Sequence, residues 1–97
     1  MKFKINMTYR AEKDLAYFQK FEQKLIINGI KTHLSRDANV PSKRRKQLRD
    51  NPLAPWRLQI ATYRIFYDFE GEDIVWVLAV GYKKRNDLFI RGRKVEL

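Results

Sequence analysis

Arg57, Arg64 and Lys83 interrupt the most strand-like part of the chain, 55-PWRLQIATYRIFYDFEGEDIVWVLAVGYKKR-85. A guanidinium is permanently charged and presents a planar fork of donors that matches the oxygens of a phosphate. An ammonium supplies a point charge and, once deprotonated, a proton acceptor. Fixed cations of these kinds bind a phosphodiester and stabilise the negative charge that grows when a nucleophile attacks it. Other cations cluster around them: Lys43-Arg44-Arg45-Lys46 with Arg49 beyond, Lys83-Lys84-Arg85, and Arg91, Arg93 and Lys94 near the end.

The balance of charge points the same way. Lys and Arg number 21 against 11 Asp and Glu, a formal charge of +10 on 97 residues. Such an excess attracts polyanions, nucleic acid above all, or an acidic protein. There is no cysteine and one histidine, His33, which leaves no disulfide frame, no thiolate site and no zinc centre of the usual kind. The acidic Glu70, Glu72 and Asp73 suit a solvated turn better than a metal. No apolar run reaches the roughly 20 residues of a membrane helix, and the N-terminus lacks the apolar core of a signal peptide. The expectation is one soluble, cytoplasmic domain spanning residues 1–97, with no membrane partner and no cofactor.

The elements that must hold these cations follow from periodicity. Phe3, Ile5 and Met7 alternate with polar residues, which predicts a first strand over 2–7. Thr8 is a helix N-cap, and Ala11, Leu15 and Phe18 continue at helical spacing. Ile26, Ile27, Ile30 and Leu34 predict a second helix over about 21–35, with Gly29 a possible break. Residues 36–55 contain all three prolines and most of the basic run; they form a connector with a short extended piece at 46–48. Alternation over 56–60 and 63–69 and the apolar run 74–80 predict three antiparallel strands. The expected fold is α+β, in the order β-α-α-β-β-β, with an antiparallel sheet packed on a two-helix N-terminal half.

A two-residue turn at Ala61-Thr62 places Ile60 opposite Tyr63 and Gln59 opposite Arg64, which keeps Leu58, Ile60, Tyr63 and Ile65 on one face. A four-residue turn at 70–73 then sets Arg64 opposite Ala79 and Ile65 opposite Leu78. Leu58, Ile60, Ile65, Trp76 and Leu78 are thereby expected beneath the helices, with Trp56 also in the core. The other face carries Arg57, Gln59, Arg64, Phe66 and Lys83 over a floor of Ala79 and Gly81 open to a ligand. Asp68 shares that face but lies four residues from Arg64, about 13 Å along the strand.

The ordered set Tyr63-Arg64-Ile65-Phe66-Tyr67, the acidic turn, Val80-Gly81 and the basic cluster at Lys83, preceded by the Arg45–Trp56 stretch RKQLRDNPLAPW, resembles the RelE/ParE superfamily of bacterial type II toxin–antitoxin toxins, RelE-like branch. The resemblance covers essentially the whole chain. It implies a toxin neutralised by an acidic antitoxin, through which the complex binds operator DNA. RelE-like members are metal-independent endoribonucleases that cut mRNA, many of them in the ribosomal A site, and so block translation. ParE-like members poison DNA gyrase instead. A degenerate member retaining only antitoxin binding and operon regulation is a third outcome.

Carried over, the resemblance makes Arg64 the ligand of the scissile phosphate and Lys83 the basic residue that follows Val-Gly. Arg57 stands where a strand lysine is usual, Gln59 where a second lysine is the base, and Phe89 where several relatives have a catalytic tyrosine. Glutamine exchanges no proton and phenylalanine has no hydroxyl, so proton transfer falls to Lys46, Lys83 or Lys84, or to none. Lys43, Arg44, Arg45, Arg49, Lys84 and Arg85 are candidate backbone contacts for RNA, and Tyr82 and Phe89 candidate stacking partners for its bases.

Overall fold

The computed structural model describes residues 2–96. Strand β1 (Lys4–Met7) leads into helices α1 (Tyr9–Ala16) and α2 (Lys20–Leu34). A connector carrying β2 (Arg45–Gln47) then leads to β3 (Trp56–Ile60), β4 (Tyr63–Glu70), β5 (Ile74–Lys84), β6 (Asp87–Ile90) and β7 (Arg93–Val95). The α+β class holds, with the helices against one face of a single sheet. The last two strands lie beyond the expected order, and β2 takes up the short extended piece of the connector.

Local chemistry sets the helix boundaries. Thr8 caps α1, its hydroxyl accepting from the Ala11 N–H at 3.1 Å. Gln19 and Glu22 form a reciprocal capping box at the start of α2. That helix runs unbroken through Gly29, where the missing side chain makes room for Ile60 of β3. Ala11, Leu15, Phe18, Ile26, Ile30 and Leu34 pack on Trp56, Leu58, Ile65, Tyr67, Val75, Val77 and Val80.

Strands β2 to β7 form an antiparallel meander in spatial order, while β1 pairs with β5 in parallel. β5 therefore has β4 along one edge and two neighbours along the other, β1 beside Ile74–Val77 and β6 beside Tyr82–Lys84. The gap between those neighbours is closed by α1. The Thr8 hydroxyl donates to the Leu78 carbonyl at 3.4 Å, and the Val80 N–H donates to Asp14 Oδ2 at 3.0 Å. Asp14 is wholly buried, and Arg91 Nε stands 2.9 Å from its Oδ1 as an ion pair rather than an aligned hydrogen bond.

The β3–β4 register is the expected one, with Gln59 opposite Arg64 and Ile60 opposite Tyr63. The β4–β5 register is not. Glu70 pairs with Ile74, so the turn has three residues, and the pairing slips again between Phe66↔Ala79 and Tyr67↔Val77. Leu78 is the extra residue of this β-bulge. Val75 and Val77 face the helices before the bulge and Val80 after it. Leu78 is half-buried against the opposite face, and Trp76, also half-buried, donates through Nε1 to Glu70 Oε1 at 2.7 Å. Neither belongs to the helix-side core, contrary to expectation, because an unbroken apolar run has no alternation to mark a bulge. Arg64 faces Gly81 instead of Ala79. The two one-residue slips together move the pairing by two, so Ala79, Gly81 and Lys83 stay on the Arg64 side.

Two expectations follow for stability. Asp14→Ala leaves the Val80 N–H buried without an acceptor and should cost about 1–3 kcal/mol in denaturant unfolding, whereas Asp14→Asn, which keeps an acceptor, should cost less. Leu58→Ala should cost about 2–5 kcal/mol, and Leu78→Ala clearly less than Leu58→Ala in the same measurement.

Candidate anion-binding site

On the sheet face away from the helices, cross-strand pairing sets Lys46 opposite Arg57, Arg57 opposite Phe66, and Gln59 opposite Arg64. Arg57 and Arg64 are thus diagonal neighbours, about 7–8 Å apart at the backbone. Lys83 continues the face one row beyond Gly81.

The apolar floor is not open. Phe66 and Ala79 are 2% and 1% exposed, packed with Ala54, Leu88 and Ile90 in a second, smaller core. Leu48 and Leu53 of the 48–55 loop and Val95 of β7 lean on this cluster. Gly81 serves the approach of β6 rather than that of a ligand: a Cβ there would fall 2.5 Å from the Phe89 carbonyl oxygen. The space assigned from sequence to a ligand is filled by the protein's own chain, whose closing elements carried no clear strand pattern.

The two arginines on this face are partly desolvated as well. Both are half-buried. Burial lowers the pKa of Arg57, and burial followed by repulsion from Arg57 lowers that of Arg64. Arg64 Nη1 donates to the Ala61 and Tyr63 carbonyls at 3.1 Å each, which folds the guanidinium against the β3–β4 turn. The Nε atoms of Arg57 and Arg64 are both buried with no hydrogen-bond partner. Among the described residues the ion pairs are Arg91–Asp14, Lys94–Asp87 and Lys94–Glu96, so no carboxylate neutralises Arg57, Arg64, Lys46 or Lys83. Two adjacent, partly desolvated cations without a carboxylate partner among the described residues are a candidate site for an anion supplied from outside.

The remaining candidates separate. Lys43, Arg44, Lys46 and Arg49 are exposed along the connector and β2. Arg45 points to the other side, where Nε donates to the Val40 carbonyl at 2.8 Å and Nη1 to the His33 carbonyl at 3.3 Å. It ties the end of α2 to the connector and is not free for RNA. Burial, then the charges of Arg44 and Arg45, lower the His33 pKa. Lys84 and Arg85 are exposed at the β5–β6 hairpin, with Lys84 on the strand side opposite to Lys83. Tyr82 and Phe89 stack on each other at 5.4 Å, and Tyr82 also stacks on Tyr17 of α1, so both rings lie on the helix side, across the sheet from Arg64. The cleft beside them, about 330 Å³ and lined by Tyr17, Phe18, Gln19, Glu22, Thr62, Tyr63 and Tyr82, holds no cation. There the Tyr63 hydroxyl donates to Glu22 Oε1 at 2.9 Å, and its pKa is raised to about 12 by burial, then by that bond and the carboxylate's charge. Among the described residues no cluster of His, Asp and Glu could hold a metal ion, and no helix is long and apolar enough to cross a membrane. Sequence reasoning missed the burial of Asp14, which no residue pattern announces.

A family model described as the ParE toxin of type II toxin–antitoxin systems (parDE) matches residues 5–87. The chain belongs to this toxin family. Among curated proteins no match is found. A chain in the crystal structure of the RelBE2 toxin–antitoxin complex from Mycobacterium tuberculosis is 23% identical, with a TM-score of 0.72 over 86% of this chain and 100% of that one. At that identity the likeness is one of fold, and it places the toxin among RelE/ParE architectures.

Phosphate should move the Nε–H resonances of Arg57 and Arg64 in an NMR titration and leave those of Arg45 in place; unshifted Arg57 and Arg64 signals would reject the anion site. For His33, the unfolded chain binds more protons than the folded one between the lowered pKa and its ordinary value near 6.5. Stability should therefore rise with pH through that window and level off above it, and His33→Gln should flatten the rise in thermal unfolding followed against pH.

Proposed function

We propose that this toxin is a metal-independent endoribonuclease that cuts mRNA and so stops translation. The observation that carries the reading is the pair Arg57 and Arg64, adjacent on one sheet face, half-buried and without carboxylate partners among the described residues. In the proposed reaction the RNA 2′-oxygen attacks the adjacent phosphorus, the bond to the 5′-oxygen breaks, and the products are a 2′,3′-cyclic phosphate and a 5′-hydroxyl. Arg64 and Arg57 stabilise the phosphorane oxygens, which carry more charge than the ground state. Lys46, cross-strand from Arg57, is the candidate acceptor of the 2′ proton, and Lys83 the candidate donor to the departing 5′-oxygen. Lys84 is set aside because alternation turns it to the other side of β5. Gln59, opposite Arg64, positions the RNA by hydrogen bonding.

The match to a chain of a toxin–antitoxin complex supports an antitoxin partner; on this reading the antitoxin is acidic, covers the Arg57–Arg64 face and carries the complex to operator DNA. The same site would engage mRNA free or on the ribosome.

A second reading, inhibition of DNA gyrase, is favoured by two observations. The matching family model is that of the ParE toxins. Gln59 and Phe89 stand where a nuclease's proton-transfer groups are expected, and Phe89 lies on the helix side.

Pulse induction with translation and DNA synthesis measured separately distinguishes the two. The nuclease reading expects translation to stop first, with mRNA cut. Arg64→Ala, folded by circular dichroism, should lose about 10²–10³ in cleavage rate and no longer arrest growth; Lys83→Ala should weaken it similarly, Arg57→Ala less, and Gln59→Ala only mildly. Arrest of DNA synthesis with intact mRNA would move the assignment to gyrase.

A further inference from the structure

A second concentration of guanidinium groups lies at the far side of the same sheet. Ile90 pairs with Arg93, so β6 and β7 join through two residues, Arg91 at φ 50° and Gly92 at φ 76°. A turn with both central residues left-handed favours glycine, asparagine or aspartate at its first position, and a long side chain there is strained. Asp14 holds Arg91 in that conformation through the 2.9 Å contact with Nε, and no hydrogen bond among the described residues uses the Arg91 Nη groups. Arg91 lines a cleft of about 430 Å³ together with Arg10 of α1 and Ile90, Arg93 and Val95. Among the described residues no ion pair engages Arg10 or Arg93. Among the described residues of this corner, three arginines face the one carboxylate behind them, an excess of two positive charges.

The register links this cleft to Arg64. Arg64 faces Gly81, Ile90 lies against Gly81, and Ile90 faces Arg93, so Arg64 and Arg93 share a face three strands apart. At the usual strand spacing their backbones are about 14 Å from each other. The row between them is low and apolar: the Ile90 and Leu88 side chains close over Gly81, and Ile90 is 6% exposed. A single phosphate reaches one focus; a polymer of phosphates reaches both.

We propose that Arg10, Arg91 and Arg93 form a second phosphate-binding pocket, which grips the backbone of single-stranded RNA a few nucleotides from the bond held at Arg64. This rests on the RNA reading of the Arg57–Arg64 face and extends it to a defined path across β4, β5, β6 and β7. The pocket sets the length of RNA the toxin needs for tight binding.

The test uses the full chain, fluorescently labelled 2′-O-methyl RNA of three and of twelve nucleotides, which cannot be cut, and inorganic phosphate as competitor. The variants are Arg10→Ala/Arg93→Ala, which spares Arg91 and its ion pair, and Arg64→Ala, each checked for folding by circular dichroism. The double variant should bind the twelve-mer at least about tenfold more weakly, with a salt slope smaller by about 1.4, the contribution of two single-strand phosphate contacts. Its affinity for the three-mer should be unchanged, and Arg64→Ala should weaken both. A double variant that binds the twelve-mer as wild type does, while Arg64→Ala weakens both, overturns the second pocket and leaves the first site standing. Arg64→Ala without effect on either RNA overturns the RNA reading of the first site, and a wild-type chain that binds neither overturns both. Displacement of the twelve-mer by micromolar inorganic phosphate would make the pocket a site for free phosphate and overturn its role as an RNA clamp.

Discussion

The central strand β5 must satisfy two different neighbours along one edge, and a buried carboxylate makes that possible. β1 pairs with its first half and β6 with its second, which leaves the backbone near Leu78 and Val80 without a strand partner. An unpaired N–H at that depth would cost what a lost hydrogen bond costs. Asp14 accepts it from the helix side, and the same carboxylate stands against Arg91 in the β6–β7 turn. One side chain thus joins α1, the centre of the sheet and the last hairpin. Burying a carboxylate is expensive, and here its two partners offset the cost. The adjacent bulge at Leu78 has its use in the same region, since it exchanges the two faces of β5 and lets Val77 and Val80 both pack beneath the helices.

The two sheet faces have different tasks. The helix side is a continuous aromatic and aliphatic core, in which Tyr67 donates its hydroxyl to the Ala38 carbonyl at 2.7 Å and Trp56 stacks on Tyr67. The other side is divided between a small apolar cluster and a band of cations. The 48–55 loop helps cover the cluster that holds Phe66, and Arg57 and Arg64 are half-buried on the same face. Partial desolvation strengthens whatever charge pairs these arginines make, while their exposed edges stay within reach of a ligand. A bare basic surface attracts anions without orienting them, whereas Arg64 is held against the β3–β4 turn by its bonds to the Ala61 and Tyr63 carbonyls.

The toxin combines a family architecture with an atypical set of side chains. The cations that the resemblance directs at phosphate share one face of the sheet, yet the positions from which it expects proton exchange carry Gln59 and Phe89. Phe89 and Tyr82 turn toward α1 and extend the aromatic cluster there, a structural use for residues that the resemblance assigned to catalysis or stacking.

Charge, helix boundaries and the β3–β4 register were legible in the residues themselves. The excess of cations is a count, Thr8 has a side chain fitted to a helix start, and the alternation of Leu58, Ile60, Tyr63 and Ile65 admits one register across Ala61-Thr62. The placement of Arg57, Gln59, Arg64 and Lys83 on one face came from that alternation, although for Lys83 it survived only because two one-residue slips compensated. Three features belonged to the tertiary structure alone. The bulge at Leu78 lies inside a run apolar at every position, so no pattern distinguishes its faces. The closure of the floor by residues 48–55 and by β6 and β7 depends on contacts between segments far apart in the chain, as does the turning of Arg45 toward the end of α2. The burial of Asp14 is decided by a gap between two strands that only the assembled sheet creates. Short-range periodicity records which residues share a side of one element; which side another segment will cover is set by how the elements meet.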